Sequence, residues 1–126
     1  MVKLVLQNTT GPLPTSTYTL FDNEKEVGFI QIRHRPSHSK EVPPDFASHI
    51  YYEIKPEYRN QGYGIKILQL GLSEAKKIGV KKIIITCYDN NTASKKIIEG
   101  NGGILVDDCT MPTSQKKFLK YRLRVE

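Results

Sequence analysis

The stretch "YRNQGYG", from Tyr58 to Gly64, places an arginine and two glycines just ahead of a run that predicts a helix. The first backbone N–H groups of a helix have no acceptor within it, and the helix dipole favours negative charge there. Glycine removes the Cβ atom that would keep a diphosphate off those amides, and Arg59 can add a side-chain contact. Gly62 and Gly64 therefore favour a phosphate site, although they would equally suit a tight strand-to-helix turn.

Two familiar phosphate motifs do not fit this stretch. A P-loop requires G-x-x-x-x-G-K-[ST], which "GYGIKILQ" lacks. The Rossmann fingerprint requires a third glycine where Ile67 stands, and a strand that runs directly into the first glycine. Because Pro56 ends the preceding strand several residues earlier, this second motif is also excluded.

The elements around the loop alternate between helices and strands. From Ile65 to Ile78 apolar residues recur at three- and four-residue spacing, which predicts an amphipathic helix stopped by Gly79. "VKKIIITCY" predicts a strand buried on both faces, and "DNNTASKKIIEGNGG" predicts a second, shorter helix with an Asp or Asn cap. The β-rich runs before and after this unit complete the order strands, helix, strand, helix, strands, which predicts a mixed sheet flanked by helices.

Length and composition narrow the class of protein. A chain of 126 residues is the usual size of one domain, here residues 1–126. No apolar run approaches the roughly 18 residues of a membrane span, so we expect a soluble, cytoplasmic protein without a membrane partner. The net charge of +6 favours anionic partners, but no aromatic ladder interleaved with basic residues supports nucleic acid. With only two cysteines, Cys87 and Cys109, and no metal-like spacing, no metal site is expected.

"RNQGYG" resembles the [RQ]-x-x-G-x-[GA] pyrophosphate loop of the GCN5-related N-acetyltransferases (GNAT), with Arg59, Gly62 and Gly64 on its defining positions. "YYEIKPEYRNQGYG" is similar to the strand, proline and loop of that family. "IIITCYDNNTASKKIIEGNGG" is similar to its next strand and helix, with Asn91 at the family's asparagine and Gly102 at its late glycine. The resemblance runs from about residue 50 to residue 103 and, more narrowly, extends to a bacterial group of predicted acetyltransferases.

This resemblance implies an α+β fold with three layers, α/β/α, and a central, mixed, mostly antiparallel sheet that splays at an acyl-CoA cleft. Acetyl-CoA would lie between two parallel strands, one around residues 52–54 and the other around residues 83–87. Main-chain groups of the first strand would pair with the pantetheine arm, and an amide there would polarise the thioester carbonyl. The loop would hold the pyrophosphate, and Asn91 and its neighbours would contact the pantetheine or the sulfur end. The residues implied to bind the cosubstrate are Tyr52, Ile54, Arg59, Asn60, Gln61, Gly62, Tyr63, Gly64, Asn91, Ser94 and Lys95.

Two features depart from the family. Ile98 stands where many relatives carry a tyrosine that protonates the departing thiolate, which leaves Tyr88, Tyr121 or a water as substitutes. Relatives also insert two helices between their first two strands to build the acceptor pocket, whereas this chain has only "NTTGPLPTS". The acceptor region is therefore predicted to be shortened. It is either open or completed by "IRHR", by the segment from Pro36 to Pro44, or by the second subunit of a homodimer.

For a base that deprotonates an amine, His34 and His49 are the natural candidates, because histidine titrates near working pH, and Glu53 and Ser48 on the next strand are the alternatives. Each histidine also fits a surface or strand-end position. The predicted function is transfer of acetyl from acetyl-CoA to a primary amine of an unidentified acceptor by direct attack, without metal or covalent enzyme intermediate. Cys87 lies in an apolar strand and is predicted to be a buried thiol. The alternative is an acyl-CoA-binding module with little or no catalytic activity.

Overall fold

A computed structural model describes residues 1–10, 14–37, 48–111 and 114–125. Within these residues the elements follow the predicted order, and the mixed α/β class is confirmed. A short 3₁₀ turn, Pro56–Tyr58, follows the fourth strand. The strands and α-helices are β1 (Val2–Thr10), β2 (Thr15–Asp22), β3 (Lys25–Ser37), β4 (Ser48–Ile54), α1 (Tyr63–Lys77), β5 (Lys82–Tyr88), α2 (Thr92–Gly100), β6 (Ile104–Thr110) and β7 (Lys117–Arg124).

The strands form two antiparallel sheets, one in the order β1-β2-β3-β4 and the other in the order β5-β7-β6. α1 connects the two sheets and returns the chain to its starting end, so β5 runs beside β4 in the same direction. In the described part of the chain no backbone ladder joins β4 to β5. The splay that the resemblance implies therefore lies between these two strands.

α1 covers one face of the larger sheet. The register sets Tyr18, Ile30 and Tyr52 side by side on β2, β3 and β4. Ile30 lies against Gly71 of α1, where an added Cβ atom would overlap its Cδ1. The helix buries this face with an apolar stripe, but the stripe is turned relative to the predicted one, because Ile65, its expected first residue, is 45% exposed. The buried residues of the stripe are Ile67, Leu68, Gly71 and Ala75.

α2 packs on the same side of the molecule, because its Ile98 is fully buried in the common core and Tyr121 of β7 donates a hydrogen bond to its Glu99 at 2.7 Å. Phe29 and Tyr51 lie on the opposite face of the larger sheet, their ring centroids 5.9 Å apart, and Tyr51 is 48% exposed. Among the residues described, no helix covers that face.

β5 differs from its prediction as a strand buried on both faces. Ile83 and Ile85 are buried, whereas Ile84 and Thr86 between them are only half-buried. The continuous apolar run suggested helices on both sides, but α1 and α2 cover only the side to which Ile83 and Ile85 point.

The helix ends agree with their sequence signals. α1 is followed by Gly79 with a left-handed φ of 87°, the backbone conformation that favours glycine at a helix end. α2 begins after Asn91, whose side-chain oxygen accepts a hydrogen bond from the Ser94 amide at 3.1 Å. Neither helix in the described ranges is long and apolar enough to span a membrane.

Candidate active site

A cleft of about 560 Å³ opens where the end of β4, the loop after it and the N-termini of α1 and α2 meet. Most of the predicted cosubstrate-binding residues line it, although they come from four separate segments of the chain. They are Tyr52, Ile54, Arg59, Asn60, Gly62, Tyr63, Gly64, Asn91 and Ser94.

The backbone of β4 faces this cleft with alternate residues. Lys55, just after the strand, donates its amide to Val27 O of β3 at 2.9 Å. Because successive backbone groups of a strand point in opposite directions, the amides of Ile54 and Tyr52 point away from β3 and towards β5. Main-chain donors and acceptors of β4 therefore point into the gap between β4 and β5, and among the described residues none of them takes part in a strand ladder there.

At the opposite end of β4 two side chains replace the missing ladder. The Ser48 hydroxyl lies 3.0 Å from Ile50 O on its own strand and 3.3 Å from Ile84 O on β5, so its proton is shared between the two carbonyls. The Ile84 amide donates to His49 Nδ1 at 3.0 Å. We call Ser48 and His49 the strand clasp. It holds β4 against β5 at one end, and the cleft opens at the other end of β4, where Tyr52 and Ile54 line it.

The loop before α1 turns on two residues in the left-handed region, Asn60 with φ 61° and Gly62 with φ 87°. The first helical hydrogen bond runs from the Lys66 amide to Gly62 O at 3.3 Å, and within the described chain no side chain caps this end. The amides of residues 63–65 precede that bond and have no acceptor inside the helix. A helix end of this kind suits an anion, and this one faces the cleft.

The two glycines serve different purposes. An added Cβ atom at Gly62 would meet nothing within 4 Å, so this position requires glycine for its positive φ rather than for space. At Gly64 an added Cβ atom would overlap Ile97 Cδ1, so this position allows α1 and α2 to approach closely. The sequence suggested access of a diphosphate or a tight turn for both glycines; the positive φ of Gly62 agrees with the turn, and the helix contact at Gly64 was not predicted.

Arg59 lies across the mouth of the cleft. Its Nε donates to Ile54 O at 3.0 Å, and its outer nitrogen lies 3.8 Å from a carboxylate oxygen of Glu53. Both charged side chains are about half exposed, and such exposed ion pairs contribute only about 0–1 kcal/mol. A bound diphosphate can therefore replace Glu53 as the partner of the guanidinium at little cost.

Two of the predicted residues do not line the cleft. Gln61 donates its side-chain amide to Glu57 O at 3.1 Å, and the Lys95 ammonium lies 3.4 Å from Asp89 Oδ1. Lys96 lines the cleft instead, together with Ala93 and Ile97. Three- and four-residue spacing puts those three residues on one side of α2. Helical spacing counted from the Asn91 cap would have identified this face of α2 from the sequence alone.

Neither histidine lines the cleft, whereas Glu53, the other candidate base on β4 besides Ser48, does. His34 Nε2 lies 3.1 Å from Ser16 Oγ. On β3 His34 is four residues from Ile30, which pairs with Tyr52, so roughly 13 Å of strand separates His34 from Ile30. His49 is only 7% exposed, and burial lowers its pKa. Because its Nδ1 accepts the amide of Ile84, the neutral ring carries its proton on Nε2. To act as a base it would have to give up that hydrogen bond, so this geometry favours the clasp role, while catalysis by either histidine stays a prediction.

The clasp leads to a testable pH dependence. Burial lowers the pKa of His49 in the folded state. In the unfolded state the ring is protonated below about pH 6.5, the usual histidine pKa, whereas in the folded state it is protonated only at lower pH. Protonation therefore favours unfolding between these two pKa values. We expect the Tm of the wild type to fall as pH drops through this range, and a His49→Gln variant to show a shallower fall. Thermal melts of both proteins from about pH 8 to about pH 5 measure the difference. Parallel curves would contradict it.

The expected substitutes for the missing acid also lie away from the cleft. Tyr121 is buried, and its burial together with Glu99, its hydrogen-bond acceptor, raises its pKa. The Tyr88 ring packs on Phe118 with centroids 4.3 Å apart, and Lys116 lies 5.2 Å from the ring centre. Of the candidate acceptor segments, "IRHR" lies in β3, and residues 38–44 fall outside the described residues.

Three features are those of an N-acetyltransferase of the GNAT type. They are the strand order, the gap between β4 and β5 that no backbone ladder in the described chain closes, and the helix end that faces this gap. A family model described as "Acetyltransferase (GNAT) family" matches residues 5–102, and the chain belongs to this family. The predicted family is thereby confirmed. Its members use acetyl-CoA as the acetyl donor.

Individual relatives agree with this assignment. Over 69 residues the chain is 36% identical to the amino-acid acetyltransferase of Buchnera aphidicola subsp. Schizaphis graminum, a match that covers 55% of this chain and 15% of that protein. The ribosomal L7/L12 α-N-protein acetyltransferase RimL in complex with coenzyme A superimposes with a TM-score of 0.68 at 17% identity, over 88% of this chain and 62% of that one. The ribosomal-protein-S18-alanine N-acetyltransferase from Escherichia coli gives 0.67 at 19% identity, over 93% and 72%. The chain thus spans only part of the length of these proteins, and the structural likeness shows the fold.

Proposed function

We propose that this protein transfers the acetyl group of acetyl-CoA to a primary amine by direct attack, within the cytoplasm. The observation that carries the proposal is that the main-chain edge of β4 and the uncapped end of α1 face the same cleft of about 560 Å³. These two features suit the two ends of the donor. The amides of Tyr52 and Ile54 fit the pantetheine arm, and the amides of residues 63–65 with Arg59 fit the diphosphate.

The chemistry follows from where the donor would lie. An amide on the edge of β4 hydrogen-bonds the thioester carbonyl and stabilises the oxyanion that forms when the amine attacks. The new C–N bond forms, the C–S bond breaks, and the electron pair goes to sulfur. The attacking nitrogen gives its one surplus proton to solvent and keeps the N–H of the amide product, and no enzyme nucleophile is required. Cys87 is half-buried in β5, where burial raises the pKa of its thiol.

The amine acceptor can approach from the uncovered face of the larger sheet. The residues described place no helix over Phe29 and Tyr51, in keeping with the short connection between β1 and β2. A site without a covering layer admits acceptors of many sizes. A second copy of the chain, forming a homodimer, is one way to complete it.

A second function, binding of acyl-CoA without efficient chemistry, is favoured by one observation: Ile98 is fully buried and has no proton to give. Calorimetry with acetyl-CoA and release of CoA thiol in the presence of a panel of amines separate the two. We expect roughly micromolar binding and turnover with at least one amine. Binding without turnover on any amine would favour the module, and absence of binding would overturn both functions.

Two neighbouring lysines test the placement of the donor. Lys96 lines the cleft and is exposed, whereas Lys95 is bound to Asp89. We expect Lys96→Ala to weaken acetyl-CoA binding roughly three- to tenfold, because a charge-assisted phosphate contact is worth about 1 kcal/mol at an exposed position, and to flatten its salt dependence. Lys95→Ala is the matched control and should leave the calorimetric affinity within about twofold of the wild type. A larger effect at Lys95 would restore the assignment made from the sequence.

A further inference from the structure

Among the described residues the Tyr52 hydroxyl makes no hydrogen bond of normal geometry, although the Ser94 side chain of α2 lies near enough to lower its pKa. Tyr52 lines the cleft, and its Oη is buried. Buried hydroxyl groups in folded proteins are normally hydrogen-bonded, and an exception requires a reason. A ligand atom in the cleft that accepts a hydrogen bond from this hydroxyl would supply it.

The position of Tyr52 on β4 shows which part of acetyl-CoA that atom belongs to. The diphosphate end of the cleft is at α1, just beyond Ile54 and Arg59. Tyr52 precedes Ile54 and therefore lies further along the gap, towards the strand clasp. A donor whose diphosphate lies at α1 and whose arm follows β4 brings its thioester to this end.

The surroundings keep the phenol protonated. Burial raises the pKa of Tyr52, the Ser94 side chain on α2 lowers it, and the charge of Cys87 on β5 raises it further. Cys87 is the titratable group that acts on the hydroxyl from the neighbouring strand. A protonated phenol between β5 and α2 is a hydrogen-bond donor ready for an anion.

Other proton donors near the core are occupied or misplaced. Ile98 has none, Tyr121 donates its hydrogen bond to Glu99, and Tyr88 packs on Phe118 outside the cleft. Tyr63 also lines the cleft but donates its hydroxyl to Asp22, and Tyr58 lies beside Tyr63 at the diphosphate end, with ring centroids 6.1 Å apart. We propose that the Tyr52 hydroxyl is the catalytic acid that protonates the sulfur of coenzyme A as it leaves. The inference rests on the proposed function.

The step balances as follows. As the tetrahedral intermediate collapses, the C–S bond breaks and its electron pair stays on sulfur, which takes the proton of Tyr52 Oη. The tyrosinate regains a proton from solvent once the product thiol has left. Tyr52 on β4 thereby acts as the acid, the role that a tyrosine at position 98 of α2 would otherwise have.

Tyr52→Phe removes only the hydroxyl, and Tyr88→Phe makes the same change outside the cleft. The first readout needs no acceptor: it is the pKa of the thiol of bound coenzyme A, followed by the ultraviolet absorbance of the thiolate after subtraction of the protein alone. A hydrogen bond from Tyr52 stabilises the thiolate, so we expect this pKa to be lower on the wild type and on Tyr88→Phe than on Tyr52→Phe. Equal values in all three proteins would overturn the inference.

The second readout is turnover with the amine that the acceptor screen identifies. Tyr52→Phe should lower kcat about a hundredfold, within the usual range for a general acid, while the calorimetric affinity for acetyl-CoA stays near that of the wild type. Unchanged kcat would overturn the inference and leave the proposed function intact. A parallel fall in affinity and Tm would show a structural role and also overturn it. If the wild type does not bind coenzyme A at all, both proposals fail together.

Discussion

A Gly62→Val variant will bind acetyl-CoA at least about a hundredfold more weakly than the wild type. Gly62 holds a φ of 87°, which is a genuine outlier for a β-branched residue. Keeping valine there costs about 1–3 kcal/mol, so the loop relaxes to another conformation. That relaxation turns the amides of Tyr63 and Gly64 away from the diphosphate, and the anion-binding end of α1 is lost. Calorimetric titration with acetyl-CoA measures the effect.

Gly79 provides a matched control for this variant. It has the same φ of 87°, and an added Cβ atom there also meets nothing within 4 Å. It lies at the other end of α1, beyond Lys77. Gly79→Val should therefore lower the Tm about as much as Gly62→Val does and leave acetyl-CoA affinity unchanged. Equal affinities of the two variants would show that the loop is only a turn.

Gly64→Ala will disturb the packing of α1 on α2 and weaken acetyl-CoA binding. The added methyl group overlaps Ile97 Cδ1, the end of a side chain that must leave its rotamer, which costs about 0.5–1.5 kcal/mol. Alanine in place of glycine inside a helix gains about 0.5–1 kcal/mol, so the net change in the free energy of unfolding is small. Because Gly64 and Ile97 both line the cleft, the displaced Ile97 side chain changes its shape. Denaturant unfolding and calorimetry would record the two effects.

The partner of this clash can be removed. Ile97→Ala deletes the atoms that the new methyl group meets, so the double variant should be more stable than the sum of the single effects by about 1 kcal/mol. Lys96→Ala, which alters the neighbouring residue without removing those atoms, should add its effect independently. Additivity of Gly64→Ala with Ile97→Ala would mean that the helices do not meet through this pair.

These glycines show how far the sequence leads. Arg59, Gly62 and Gly64 stand together in one short motif, so local reasoning found the loop, and the cap at Asn91 and the stop at Gly79 follow from equally local rules. The contact of Gly64 with Ile97 joins two helices that are distant along the chain. It depends on how α1 and α2 pack, which no local pattern encodes.

The histidines show the same limit from the chemical side. The sequence identifies His49 as a titratable group, but its hydrogen bond with the Ile84 amide forms only when the two sheets come together. Similarly, the apolar run of β5 resembles a strand with two buried faces, whereas burial on the folded chain depends on where the helices lie. Chemistry-bearing residue types can be recognised in advance, but their partners come from the tertiary structure.

The strand clasp has a consequence for how this protein can change over time. A ladder between two strands is made of main chain, so almost any sequence can form it and few substitutions alter its spacing. Here the join at the base of the cleft consists of the side chains of Ser48 and His49. The spacing of the two sheets at this point therefore depends on two side chains, and a single replacement there would change it while the ladders within each sheet remain.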